Sequence, residues 1–356
     1  MPKVAANGIE IEYDIAGPES GEPLLLIMGL GQQLTRWPAS LVEQLASEGF
    51  RVLRFDNRDI GLSTWFDTTP TPDLPSVFAA LASGKDPGAP YLLSDMADDA
   101  AGLLDALGIA KAHVAGISMG GMIGQMLAAR HPGKVASLVS VMSTTGNPAV
   151  PPATPAAQAV LFAQPAATDL ESLVEHALKA QIAIQSPAWP VNPETERPLL
   201  RAGIQRAYHP FGVLRQMIAV LASGDRREAL KTITAPTVVL HGDADPLVPV
   251  EGGKDTAATI PGAELRIIEG MGHDLPEGVR EAFVDAVKRA AARARQLAEL
   301  EALPQLSSRK PRRGCPGPQG RLHRAGPVTW VPALSFASAG MTTLEAVLRS
   351  TMGKAA

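Results

Sequence analysis

Cysteine is almost missing from this chain. The single residue, Cys315, stands far from any other chemistry-bearing motif, so an internal disulfide framework, a cysteine-ligated metal site and a thiol nucleophile are all excluded from expectation. Long apolar runs are missing as well. The longest early one, Leu24 to Met28, is far too short to span a bilayer, and Met1-Pro2-Lys3-Val4 opens without the apolar core of a secretory signal. A cytoplasmic protein without stable membrane insertion is expected. No internal repeat is visible, and strong net charge is absent: the total is −4 over 356 residues. That small figure hides an asymmetry, because residues 304–356 hold eight Lys and Arg against one acid, Glu345, or +7, which leaves −11 for the rest. An acidic body argues against nucleic acid as a partner. What is present, 46% hydrophobic and 19% charged residues, describes a soluble globular chain able to bury a sizeable core.

The informative stretch is His113-Val114-Ala115-Gly116-Ile117-Ser118-Met119-Gly120-Gly121. A short apolar run enters it as a buried parallel strand, and Met122 to Arg130 leaves it with helical periodicity and no proline. Strand, tight turn and helix around G-x-S-x-G make a nucleophile elbow. The turn must hold Ser118 in a strained conformation with its hydroxyl above the sheet, and a Cβ two residues before or after would collide with backbone. Gly116 and Gly120 remove those collisions. The following helix aims free N–H groups at the serine, so the Met119 amide is a candidate oxyanion donor.

Upstream, Val4 to Ile15 alternates around Asn7-Gly8 as a hairpin, and Pro23 to Met28 is a strand apolar on both faces. A helix is expected over 39–48, a strand over 51–55 and a surface loop over 64–91. Residues 94–107 read as a helix capped by Ser94 and stopped by Gly108. Downstream of the elbow, Val135 to Val141 is another strand. From Asn147 to about Ala229, Pro-rich punctuation introduces helical segments, such as 170–184 and 198–208, with no strand between them. Strands resume at Thr237 to His241 and Glu264 to Ile268, and a last amphipathic helix covers about 276–300. Alternating helices and short apolar strands imply a mostly parallel sheet flanked by helices.

A serine hydroxyl needs a base near neutral pH, and the base needs a carboxylate to orient it. His273 follows a predicted strand between Gly272 and Asp274, where a loop can reach back over the serine. His113, His131 and His241 sit where structural hydrogen bonds are expected, whereas His176 and His209 fall in the helical insertion, within reach of substrate. Two acids compete after the strand ending at His241. Asp245, held by Pro246-Leu247-Val248, is favoured over Asp243, which reads as a turn former. The loop Met28-Gly29-Leu30-Gly31 allows close backbone approach and supplies Leu30 as the second oxyanion donor. Asp56-Asn57-Arg58-Asp59 lines the same rim, either as a buried charge network holding loops together or as a contact for substrate.

Together these residues, in this order, resemble the α/β-hydrolase superfamily from about Val4 to Leu300. The segments LLLIMGLGQQL, RVLRFDNRDIGLST, HVAGISMGGMIGQ, HGDADPLVP and GMGHDLP are similar to those of aclacinomycin methylesterases and related lipase-like bacterial esterases. The resemblance implies Ser118 as nucleophile, Asp245 as acid, His273 as base, and Leu30 and Met119 as oxyanion donors, with no metal or organic cofactor. The chain is accordingly expected to form an α/β-hydrolase core in two parts, 1–146 and 230–303, with an inserted helical cap over 147–229, while the low-complexity basic tail over 304–356 lies outside the resemblance and is expected not to pack. A small-molecule carboxylic ester, possible in methyl-ester form, is the substrate so implied. Lactone, C–C bond or perhydrolytic chemistry, or ligand reception without turnover, are the competing uses of the same fold.

Overall fold

The computed structural model describes residues 1–302; the basic tail expected over 304–356, with Cys315, lies outside the described residues. Eight strands form one sheet: β1 (Lys3–Ala6), β2 (Ile9–Ala16), β3 (Glu22–Ile27), β4 (Phe50–Phe55), β5 (Ala112–Ile117), β6 (Val135–Val141), β7 (Thr237–Gly242) and β8 (Glu264–Ile268). Their order is β1-β2-β4-β3-β5-β6-β7-β8. Only the β1–β2 and β2–β4 pairings are antiparallel. The other five are parallel, as apolar strands covered on both faces should be.

Helices flank this sheet: α1 (Ala39–Ser47), α2 (Leu74–Ala82), α3 (Leu93–Ala106), α4 (Met119–Arg130), α5 (Pro155–Leu161), α6 (Leu170–Ile184), α7 (Pro193–Arg206), α8 (Pro210–Ser223), α9 (Arg227–Leu230), α10 (Val250–Thr259) and α11 (Glu277–Ala302). Strand periodicity of two divides the core into layers. On β3, Leu25 and Ile27 join Leu103 and Leu104 of α3 and Ile123 and Leu127 of α4. Leu24 and Leu26 point the other way, to Leu41 and Leu45 of α1 and Phe283 and Val287 of α11. Parallel strands bring their C-terminal ends to one edge of the sheet, so the loops after β3, β5, β7 and β8 meet there.

Several local expectations are corrected. The stretch 64–91 contains α2, opened by Asp73, whose carboxylate accepts from the Ser76 amide at 2.7 Å, and by Pro75 in the first turn. Turn-forming residues around it masked a nine-residue helix that buries only Val77. At α3 the cap is Leu92 rather than Ser94, and the Asp95 carboxylate satisfies the Leu92 amide at 2.7 Å. Helix α7 starts five residues before Pro198, capped by Asn192. Helix α10 had no apolar period to reveal it, because Gly252-Gly253 occupies its buried face. No helix among the described residues is long and apolar enough to cross a membrane.

Candidate active site

Strand β5 ends at Ile117, and α4 begins at Met119, leaving Ser118 alone in the turn. Its backbone, φ 53° and ψ −123°, lies where a side chain is strained. Neighbouring glycines permit this. A Cβ on Gly116 would sit 2.1 Å from the Gly120 carbonyl oxygen, and one on Gly120 would sit 2.1 Å from that of Ile27. The turn is tied down by Ser118 N–H donating to Val141 at 2.9 Å and Ser143 Oγ donating to the Ser118 carbonyl at 2.9 Å.

The Ser118 Oγ lies 2.9 Å from His273 Nε2. On the far side of the imidazole, Nδ1 lies 2.7 Å from Asp245 Oδ2. Asp245 and His273 are both buried, with 6% and 8% of their surface exposed, so bulk water does not compete for these contacts. The second oxygen of Asp245 accepts from the Leu247 and Val248 amides at 2.9 and 2.8 Å. Burial works against the charge of Asp245. The His273 and His241 imidazoles and the Val248 amide outweigh it and hold the carboxyl well below the usual carboxylate range. An anionic Asp245 requires the proton on His273 Nδ1 and leaves Nε2 free to accept from the serine. Asp243 is placed elsewhere: its carboxylate accepts from the Gly270 amide at 2.7 Å, closing the turn between the two loops.

Gly29 brings the loop after β3 against the elbow, where a Cβ would stand 3.3 Å from the Ser118 Cβ. Gln32 N–H donates to the Gly29 carbonyl at 3.2 Å, and Gly31 has φ 69°. These features describe a type II turn with Leu30 at its second position. Among the described residues, neither the Leu30 nor the Met119 amide donates to another protein group. Both are therefore available beside the serine.

A family model described as the alpha/beta hydrolase fold matches residues 22–277. The chain belongs to the α/β-hydrolase family. As a hydrolase of this family it is 31% identical over 293 residues to a rhodomycin D methylesterase of Streptomyces sp. strain C5, covering 76% of this chain and 91% of that one. A second rhodomycin D methylesterase, from Streptomyces peucetius, is 30% identical with the same coverage. Among solved structures, an enol-lactonase from Burkholderia xenovorans superposes with a TM-score of 0.59 at 24% identity, covering 82% of this chain and all of that one. That last likeness concerns the fold.

Between β6 and β7 this hydrolase carries α5 to α9 with no strand among them. The insertion grips the loops of the site at several points. From the end of α6, the Ile184 carbonyl accepts from the His273 amide at 2.7 Å. Ser186 Oγ accepts from the Gly272 amide at 2.8 Å and donates to the Asp274 carboxylate. Arg206 of α7 pairs with Asp56 at 2.8 Å, and Arg215 of α8 holds both oxygens of Asp59 at 2.8 and 2.9 Å. The Asp56-to-Asp59 segment is thus a buried charge network, anchored further by Arg58 on Asp99.

Sequence reasoning did not single out Ser186 or Gln216, and it reached Asn57 only as part of the Asp56-to-Asp59 stretch. Their roles come from contacts over long sequence separations, and only the acidic and basic neighbours of Asn57 gave a local signal. His209 is buried at the edge of a cleft with both ring nitrogens engaged. Its ring nitrogens meet the Asp59 carbonyl at 2.9 Å and Asp67 at 2.6 Å, and it stacks on Trp65 at 4.0 Å. His113, His131 and His241 each make structural hydrogen bonds, to Ser137, Asp98 and the Val248 carbonyl. Of the large side chains of the insertion, Met217 is buried, and Trp189 packs on Gly278. Tyr208 and Phe211 stay exposed. A cleft of about 170 Å³ between Gly31, Ile60, Leu199, Leu200, Ile204 and Tyr208 separates the insertion from the loop after β3.

Proposed function

We propose that this hydrolase cleaves carboxylic esters through an acyl-enzyme on Ser118. The observation that carries the reading is the hydrogen-bonded line from Asp245 through His273 to Ser118, at 2.7 and 2.9 Å, ending on a strained, half-buried serine. In the first stage Ser118 Oγ attacks the ester carbonyl carbon while His273 Nε2 takes its proton. The carbonyl oxygen becomes an oxyanion, received by the Leu30 and Met119 amides. The C–O bond to the alcohol then breaks, and His273 returns the proton to the leaving oxygen. In the second stage water adds to the acyl-enzyme, giving its proton to the same nitrogen. Collapse restores Ser118 and releases the acid.

Similarity to two methylesterases favours an ester with a small alcohol and a bulky acid part. Hydrolysis of 4-nitrophenyl acetate and of a panel of aromatic methyl esters tests the reading, with Ser118→Ala and His273→Ala beside the wild type. Loss of about 10³-fold or more in both folded variants is expected. Retention of wild-type turnover by Ser118→Ala would remove the acyl-enzyme from consideration.

A further inference from the structure

The Leu30 amide can serve an oxyanion only if its turn is held still, and the sheet does not hold it, because β3 ends at Ile27. Three contacts outside the sheet do so. Asn57 Nδ2 donates to the Met28 carbonyl at 3.1 Å, fixing the peptide that enters the turn. Gln32 N–H closes the turn on the Gly29 carbonyl at 3.2 Å. The third comes from the insertion: Gly31 N–H donates to Gln216 Oε1 at 3.0 Å, and Gln216 Nε2 donates to the Arg58 carbonyl at 2.8 Å. Gln216 is fully buried on α8, and both ends of its amide are committed.

The peptide held by Gln216 is the central one of the turn. In a tight turn this peptide can rotate between two orientations, which distinguishes type II from type I. A glycine at the third position makes both accessible. Accepting from Gly31 N–H selects one of them. Donating to the Arg58 carbonyl ties the selection to the loop after β4, which Asn57 shares. We infer that Gln216 is a positioning residue for the Leu30 oxyanion donor, so that α8 of the insertion sets the transition-state geometry as well as covering the site. This rests on the proposed role of Leu30 and Ser118.

The test is the rate at which a fluorophosphonate labels Ser118, since the phosphoryl oxygen occupies the oxyanion position and no natural substrate is needed. Gln216→Met removes both hydrogen bonds at nearly constant volume. Labelling is expected to slow by about 10-fold to 100-fold, less than the 10² to 10³ for loss of a whole donor, while the reagent concentration at half-saturation moves by less than about threefold. Gln216→Glu supplies a readout that mere packing would not move. Its protonated carboxyl can accept from Gly31 and donate to Arg58, whereas its carboxylate cannot donate and places negative charge beside the donor loop. The ratio of variant to wild-type rate is therefore expected to fall as pH rises from about 5 to 9. If Gln216→Met does not fold, the Gln216→Glu ratio decides alone. A wild-type rate in folded Gln216→Met, or a ratio flat with pH, overturns the inference. Ser118→Ala runs alongside: labelling that persists there defeats the site reading itself, whereas abolished labelling beside an unaffected Gln216 variant defeats only the positioning role.

Discussion

Gly120→Ala is the substitution whose cost can be worked most directly from the elbow. An added Cβ would meet the Ile27 carbonyl oxygen at 2.1 Å and that of Met28 at 2.7 Å. Both obstacles are backbone at the end of the central strand β3, so neither can rotate aside. Restoring ordinary contact needs the first turn of α4 and the end of β3 to part by about 1 Å or more. Overpacking a rigid core costs about 1–3 kcal/mol, with backbone displacement at the upper end. Alanine returns up to about 1 kcal/mol through helix propensity. A net destabilisation of about 2 kcal/mol is therefore expected. A control lies in the same helix: at Gly124 the nearest atom is a Leu138 methyl at 3.1 Å, a side-chain end that can give way. Gly124→Ala should fall within about 1 kcal/mol of the wild type, because the propensity gain offsets a mild contact. Urea unfolding with unchanged m-value reads both. The same displacement separates the Met119 amide from the Leu30 amide, so fluorophosphonate labelling of Gly120→Ala should slow as well. A Gly120→Ala protein as stable and as readily labelled as the wild type would refute the close-approach reasoning.

Asp245→Asn should lower turnover by about 10³-fold to 10⁴-fold in a protein that still folds, because an amide no longer enforces the Nδ1–H tautomer of His273; steady-state kinetics on a nitrophenyl ester check this. The depressed carboxyl of Asp245 also sets a pH dependence of stability. Its contribution is complete above the unfolded value of about 3.9 and is lost as pH falls through the lower folded value. The stability difference between the wild type and Asp245→Asn should accordingly shrink in strong acid and stay constant above about pH 5, as read by urea midpoints across that range. Ser186→Ala leaves the buried Gly272 amide without its acceptor and removes one of two donors to Asp274. Burial already pushes the Asp274 carboxyl up, against the Ser186 bonds. A loss of about 2–4 kcal/mol in urea unfolding is expected, together with slower turnover from a loosened His273 loop.

Much of the architecture was legible because it is local. Continuous apolar runs such as Leu24 to Ile27 mark strands buried on both faces, and G-x-S-x-G between strand and helix marks an elbow whose glycines must lack a Cβ. Helices were misread where their signal was short or hidden. In α2 a nine-residue segment buries little, and in α10 glycines occupy the contact face, where Gly253 makes room for His241. Choosing between Asp243 and Asp245 was possible from turn chemistry, yet the distance that separates them in role is a tertiary quantity: one carboxylate lies 2.7 Å from His273, and the other closes a turn at Gly270.

The sequence by itself determined the strand periodicity, the elbow and the residue types available for a nucleophile, a base and an acid, because each depends on neighbours within one element. Tertiary structure alone decided what the insertion does. Ile184 and Ser186 hold the His273 loop, Arg206 and Arg215 hold the loop after β4, and Gln216 holds the turn of Leu30. These bonds join residues 86 to 185 positions apart. Such partners leave no periodic trace in a chain, since a buried glutamine or serine is chosen by the group it must satisfy across the interface and not by its neighbours in sequence.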